Sequence, residues 1–214
     1  MATPRKWSNV AVAMESARAA AKVITAITKA STGVVSSTAH GYSNGDYVLL
    51  VVQGMFQLTG RVFRVAGQTT DTFQIEGEDT TAYETFVSGN AYKLTFGTSI
   101  ATMTTISSSG GEISPIDVTT IHDLSAQEID GLASALSYSF ENIWDVSDAG
   151  LLAMNAAYKA QAEKAFRFTF GTGGQIMVFH GSCGATLAPG GAAQGLVTTA
   201  ATIRARGTPT YYAS

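Results

Sequence analysis

The chain has 214 residues, 45% of them hydrophobic and only 14% charged, with a formal net charge of -3. That length supports a sizeable core in one large or two small domains, and the acidic balance without a basic patch argues against holding duplex DNA through its phosphates. A single cysteine, Cys183, excludes an internal disulfide and a cysteine-rich metal site, and no run of about eighteen apolar residues marks a membrane-crossing helix.

With so few charges, much of the surface is neutral Ser, Thr, Gly and Ala, which suits burial in an assembly. Glu15 and Arg18 interrupt the N-terminal segment before a secretory core forms, so the expectation is a soluble chain made in the cytoplasm.

Taken in order, Val10, Val12 and Met14 alternate as a strand does. The alanine-rich run 17–21 predicts a short turn or helix, and the β-branched run 23–28 a second strand. Short β runs follow at 34–35, 47–52, 61–65 and 72–75, separated by glycines, as in a small antiparallel barrel or sandwich. Asn44-Gly45 predicts a tight hairpin. Tyr92 to Thr104 reads as one long strand carrying Leu94, Phe96, Ile100 and Met103. Gly110 to Leu132 has almost no apolar periodicity, and Gly110, Gly111 and Pro115 predict irregular backbone. Long polar connections of this kind in β-rich chains are functional or disordered.

From Ser134 to Trp144 the alternation returns, with Leu136, Tyr138 and Phe140 on one face and Ser137, Ser139 and Glu141 on the other. Ser147 to Lys164 predicts the one helix, with Ser147 as N-cap and Asp148 favourable to its dipole. Leu151, Met154, Tyr158, Ala162 and Ala165 would form its buried face. Phe166 to Phe170, a Gly171–Gly174 turn and Gln175 to His180 predict a hairpin. A loop from Ser182 to Gly195 leads to a last strand, Leu196 to Arg206, and Gly207 to Ser214 reads as an arm or frayed end.

Catalytic grammar is weak throughout. His40, His122 and His180 lack metal-ligand spacing. His180 near Cys183 invites a thiol-nucleophile reading, but a shared glycine-rich turn accounts for their closeness. Gly171–Gly174 lacks the Lys-Ser/Thr of a phosphate loop. The expectation is no catalytic residue, no cofactor and no metal.

The stretch Asp117-Val118-Thr119-Thr120, followed by Asp123, Glu128, Asp130 and a Gly131-Leu132 stop, lies between two strands. It resembles the major tail tube proteins of long-tailed bacteriophages, over 92–207 well and over the first twenty residues loosely. Residues 23–89 resemble a small β module common in phage structural proteins and often labelled ubiquitin-activating-enzyme-like, a label that implies nothing catalytic. The resemblance divides the chain into a strand or arm of the tube domain (1–22), a small appended barrel-like domain on the outer face (23–91) and the tube domain (92–214). It implies a mainly β fold, a tail-tube-type sandwich or barrel flanked by one helix, with a second small all-β domain.

The function so implied is structural. Six copies form a ring whose strands join, and rings stack into a tube in the virion tail, assembled in the host cytoplasm. The lumen holds a tape-measure protein and passes DNA without specific binding, while tail-terminator and baseplate proteins are further partners. Other readings are a baseplate hub, a tail terminator, a decoration protein, the tube of a contractile secretion system, or a host-surface binding module in 23–90. Ring contacts are expected at Glu112, Ile113, Asp117, Val118, Thr119, Thr120, Asp123 and Glu128, with 185–195 and both termini. The negative balance falls after residue 91, where nine acids face six bases. Glu112, Asp117, Asp123 and Glu141 are therefore candidates to line the lumen, where like charge would keep DNA from adhering. The first three suit the next ring equally well.

Overall fold

Short runs of β-branched and aromatic residues, each broken by glycine or a polar turn, leave little room for helix. The computed structural model describes residues 10–171 and 174–213. The chain opens with β1 (Val10–Met14) and the short strands β2 (Ala17–Arg18), β3 (Lys22–Ile24), β4 (Ala26–Ile27) and β5 (Val34–Ser36). Next come β6 (Tyr47–Gln53), β7 (Val62–Ala66), β8 (Thr72–Ile75) and β9 (Ser88–Thr95). The strands β10 (Thr98–Ile100), β11 (Met103–Ser109), β12 (Ile113–Asp117), β13 (Glu128–Ala133) and β14 (Ser137–Ile143) precede the helix α1 (Ala149–Lys159). The chain then runs through β15 (Lys164–Phe170), β16 (Ile176–Gly184) and β17 (Thr198–Tyr212). The fold is mainly β with one α-helix among the described residues.

The larger sheet has the order β10-β1-β15-β16-β17-β14-β11 and curls into a half-barrel. Its concave face holds an aromatic core. The Phe179 ring stacks on Tyr138 at 5.2 Å, Phe168 at 5.7 Å and Phe166 at 5.8 Å between centroids. Met154 and Ala157 of α1 close over this cluster. The helix starts at Asp148, whose carboxylate accepts from the Leu151 N–H at 2.8 Å. Ser147, the expected cap, instead donates its hydroxyl to Asp145 at 2.6 Å. The helix ends at Lys159, five residues before the expected limit, because Gln161 turns to φ 50° and Lys164 already begins β15.

The second sheet runs β2-β9-β6-β7-β8-β5-β4. β3 pairs with β9 while β4, one residue later, pairs with β5, so 22–27 bridges the two ends of the sheet. Val48, Leu50, Phe63, Phe73 and Ile75 fill its interior. A third cluster lies between the sheets: Tyr47, Leu49, Val62 and Leu94 meet Ala165, Val178 and Tyr212. The outward-facing Ala165 and Val178 of the half-barrel are thus buried, and Arg167 stacks over Phe96 at 5.2 Å.

Four expectations change. The run 17–21 is not helical, because β2 hydrogen-bonds to the edge of β9 and that pairing outweighs alanine propensity. Asn44-Gly45 turns the chain into β6, but β5 and β6 pair with other strands, so it joins no hairpin. Tyr92 to Thr104 is no single strand: β9 lies in the second sheet and β10 in the first, with a break at Phe96-Gly97 where the chain crosses. The supposed frayed end continues β17 to Tyr212. Gly207, at φ 75°, sits in a bulge between the Arg206 and Thr210 pairings, and Tyr212 is buried. Residue 91, the expected boundary, falls inside β9. Residues 1–9 of the expected arm, and Thr172, Gly173 and Ser214, lie outside the described residues.

Candidate assembly surface

The half-barrel is open. Among the described residues its edges, β10 and β11, each pair on one side only. Only two residues join β10 to β11, so the edges meet at one end, where Thr102 accepts from the Ile143 N–H at 2.8 Å. Farther along they diverge around a cleft of about 340 Å³ lined by Val10, Val12, Ile100, Met103 and Ile106. A strand edge left this way carries a row of free donors and acceptors and is a template for another chain.

The stretch expected to be irregular is a hairpin. β12 pairs with β13 through Pro115↔Asp130, Ile116↔Ile129 and Asp117↔Glu128. Gly110 and Gly111, at φ 89° and 83°, swing the chain out of β11; a Cβ on Gly110 would lie 2.2 Å from the Ala135 carbonyl oxygen. Gly131 also lies close to the Ser114 carbonyl, whose oxygen would be 2.5 Å from an added Cβ. The sequence missed the strands because their apolar residues face solvent, leaving no buried period to read. The tip is tied by its own side chains. The Thr119 N–H donates to Asp117 at 2.8 Å, and the Thr120 N–H and hydroxyl donate to Asp123 at 2.7 and 2.9 Å. These bonds hold both carboxyls below the ordinary aspartate range.

Every residue of the hairpin from Glu112 to Asp130 is exposed. Ile121 and Leu124 expose 96% and 106% of their surface, and Ile113, Ile116, Val118, Ile129 and Leu132 are exposed with them. Two-stranded hairpins that bury no face are marginal alone in water, and this one leaves its apolar side chains to solvent. The predicted contact residues Glu112, Ile113, Asp117, Val118, Thr119, Thr120, Asp123 and Glu128 all lie on it. What the sequence reading left out were the bare apolar residues at the tip. Their signal was isoleucine and leucine in an otherwise polar stretch.

The four candidate lumen acids separate. Glu112, Asp117 and Asp123 project on the hairpin, whereas Glu141 stands on the exposed face of β14. That face continues through Ser137, Ser139 and Glu141, with Ala200, Thr202 and Arg204 of β17 opposite them, and Ser107 and Ser109 on β11. It is a wall of small hydroxyl side chains carrying one acid and one base.

His180 and Cys183 sit on opposite faces of β16. The Cys183 thiol is buried, donates to the Met154 carbonyl at 3.5 Å and is pushed above its ordinary pKa by burial. His180 lies between the sheets, its Nε2 3.3 Å from the Arg18 guanidinium. Arg18 in turn pairs with buried Glu15 at 2.8 Å, and that carboxylate also accepts from the Ala165 N–H at 2.9 Å. Glu163 faces His180 Nδ1 at 3.9 Å and binds Arg206. The cluster is a tether where β1 passes from one sheet to the other. His40 is also buried, accepting from the Tyr42 N–H at 2.9 Å, while His122 is exposed on the hairpin.

A protein-family model described as phage tail tube protein matches residues 53–214, from the last residue of β6 onward. No curated protein matches the chain.

Proposed function

The chain belongs to the phage tail tube protein family, and from that membership we propose that it is the major tube subunit, closing into six-membered rings that stack around a lumen. It is a structural component of the virion tail. The observation that carries the proposal is the open half-barrel, with unpaired edges at β10 and β11 and a bare hairpin projecting beside them. Edge-to-edge pairing around a ring would join the half-barrels and satisfy both edges. Rings would then stack through the hairpin, a contact that repeats without closing and so builds a filament. The hydroxyl-rich face of β11, β14 and β17 would form the lumen wall, presenting little charge to a tape-measure protein or to passing DNA. Glu141 would be its acid, and Glu112, Asp117 and Asp123 would work between rings. The second sheet would lie outside as an appended layer, and tail-terminator and baseplate proteins would cap the two ends.

Negative-stain electron microscopy of the purified chain at rising concentration tests this. Long hollow tubes of regular rings are expected; closed rings that never stack would mark a terminator or hub instead. In the same samples, amide exchange in 112–132 should slow in the tube relative to the free subunit. Equal protection in both would rule the hairpin out as the stacking element.

A further inference from the structure

We infer that in the tube the uncovered half of the second sheet, centred on Val23 and Val51, packs against a neighbouring copy. The inference rests on the tube reading and extends it to the outer layer.

One face of the second sheet is covered for only half its length. Its first row, Tyr47 with Leu94, and its second, Leu49 with Tyr92, pack against Ala165 and Val178 of the half-barrel. The third row continues them in the same plane: Val51 pairs with Asn90, and Asn90 with Val23 on β3. Nothing among the described residues covers this row, and Val51 and Val23 expose 46% and 66% of their surface. A recess of about 340 Å³ lies along it, lined also by Gln53 and Ser88 of the next row. The Val87 N–H donates to the Gln53 carbonyl at 3.0 Å, which holds Val87 at the end of these strands, and Phe56 follows β6 there. Both side chains are exposed.

Charge is missing where these apolar groups gather. Residues 51–60 and 85–92 contain no Asp, Glu, Lys or Arg. Of the charged groups beside them, Lys22 donates to the Ala39 carbonyl at 2.9 Å and Arg61 pairs with Glu78, while Glu84, three residues before Val87, is exposed at the rim. Apolar side chains bared in a stretch depleted of charge have the composition of an interface centre.

The occupant is a second copy for two reasons. The bare row continues a contact that the same sheet face already makes with a half-barrel, so the surface that fits it is another strand layer with small outward side chains such as Ala165 and Val178. The second reason is repetition. Every copy in a tube presents the same outer face, so a patch left bare would recur along the whole filament and draw tubes together side by side. Covering it within the tube removes that hazard.

V51C tests the inference, because native Cys183 is buried and leaves the new thiol as the reactive one. Labelling of the full chain by a water-soluble maleimide should be rapid in the free subunit and lost in tubes. V23D/V51D should raise the concentration at which tubes appear by about tenfold or more, since two apolar contacts are lost and charge enters. Both sites are exposed in the subunit, so the free variant should keep the wild-type urea midpoint, which shows that it folds. Tubes from V23D/V51D at the wild-type concentration, or a V51C thiol that stays reactive in tubes, would overturn the inference and leave the tube reading in place. So would protection of that thiol only where tubes bundle side by side. A wild-type chain that forms no tubes would overturn both.

Discussion

Replacing Tyr212 with phenylalanine probes the junction that the C-terminal strand makes with the second sheet. The Tyr212 hydroxyl accepts from the Arg64 N–H at 2.8 Å, its ring packs near Tyr47, and the Arg64 guanidinium lies over it at 4.6 Å. Phenylalanine keeps the ring and both stacking contacts but leaves the N–H of a half-buried β7 residue without its acceptor. Stranding a buried donor costs about 1–3 kcal/mol. Partial access of water at Arg64 places this one at the lower end, about 1–2 kcal/mol. For a chain of this size each kcal/mol moves Tm by roughly 2–4 °C, so the expected drop is about 2–8 °C. The assay is urea and thermal unfolding of the unassembled full chain, with Tyr211→Phe as control because Tyr211 is largely exposed. Thr210→Val should add a similar loss, since its hydroxyl donates to the Val62 carbonyl at 2.6 Å. If Tyr212→Phe melts with the wild type, or if ending the chain at Gly207 costs nothing, the final strand does not clamp the two sheets and the reasoning fails.

Asp148→Ala should cost about 1 kcal/mol by removing the cap of α1, whereas Ser147→Ala should leave the helix intact; urea midpoints of the two variants compare them directly. Glu15→Ala leaves the buried Ala165 N–H without its acceptor and frees the exposed Arg18, and should cost about 1–3 kcal/mol, read from the same unfolding curves. Burial, and next the Arg18 charge, hold His180 below the ordinary histidine value of 6.5, with Glu163 and Glu15 opposing and Arg206 adding to the depression. A depressed pKa means the unfolded chain takes up the proton first. Its contribution is therefore complete above pH 6.5 and fades as pH falls from there through the folded value. His180→Gln should flatten the slope of stability below pH 6.5, and an unchanged slope would exclude His180 as its source.

The segments most legible in the sequence were those whose side chains divide between water and one core. Tyr138, Phe140 and Asn142 alternate with exposed neighbours, so β14 could be read directly. The same holds for β1 and β8, and for α1, where Leu151 and Met154 are buried and Lys159 is exposed, although Tyr158, expected on the buried face, is exposed too. The hairpin was legible as a place and illegible as a shape. Its acids and glycines marked 110–132, but strands whose apolar residues all face solvent leave no alternation to detect. β2 and the run through β9 and β10 failed for a different reason: their conformation is set by which sheet edge they reach.

By itself the sequence determined that this chain is β-rich, carries one amphipathic helix and no catalytic grammar, and gathers five of its sixteen acids in one polar segment. Those are properties of local pattern and composition, which each stretch carries wherever it lies. Only the tertiary structure decided that Tyr92 to Thr104 divides between two sheets, that the tail is a buried strand, and that Glu141 stands apart from Glu112, Asp117 and Asp123. Only it placed a bare hairpin where β11 leaves the half-barrel. These are relations between residues far apart in the chain, fixed by pairing between strands that no local window contains.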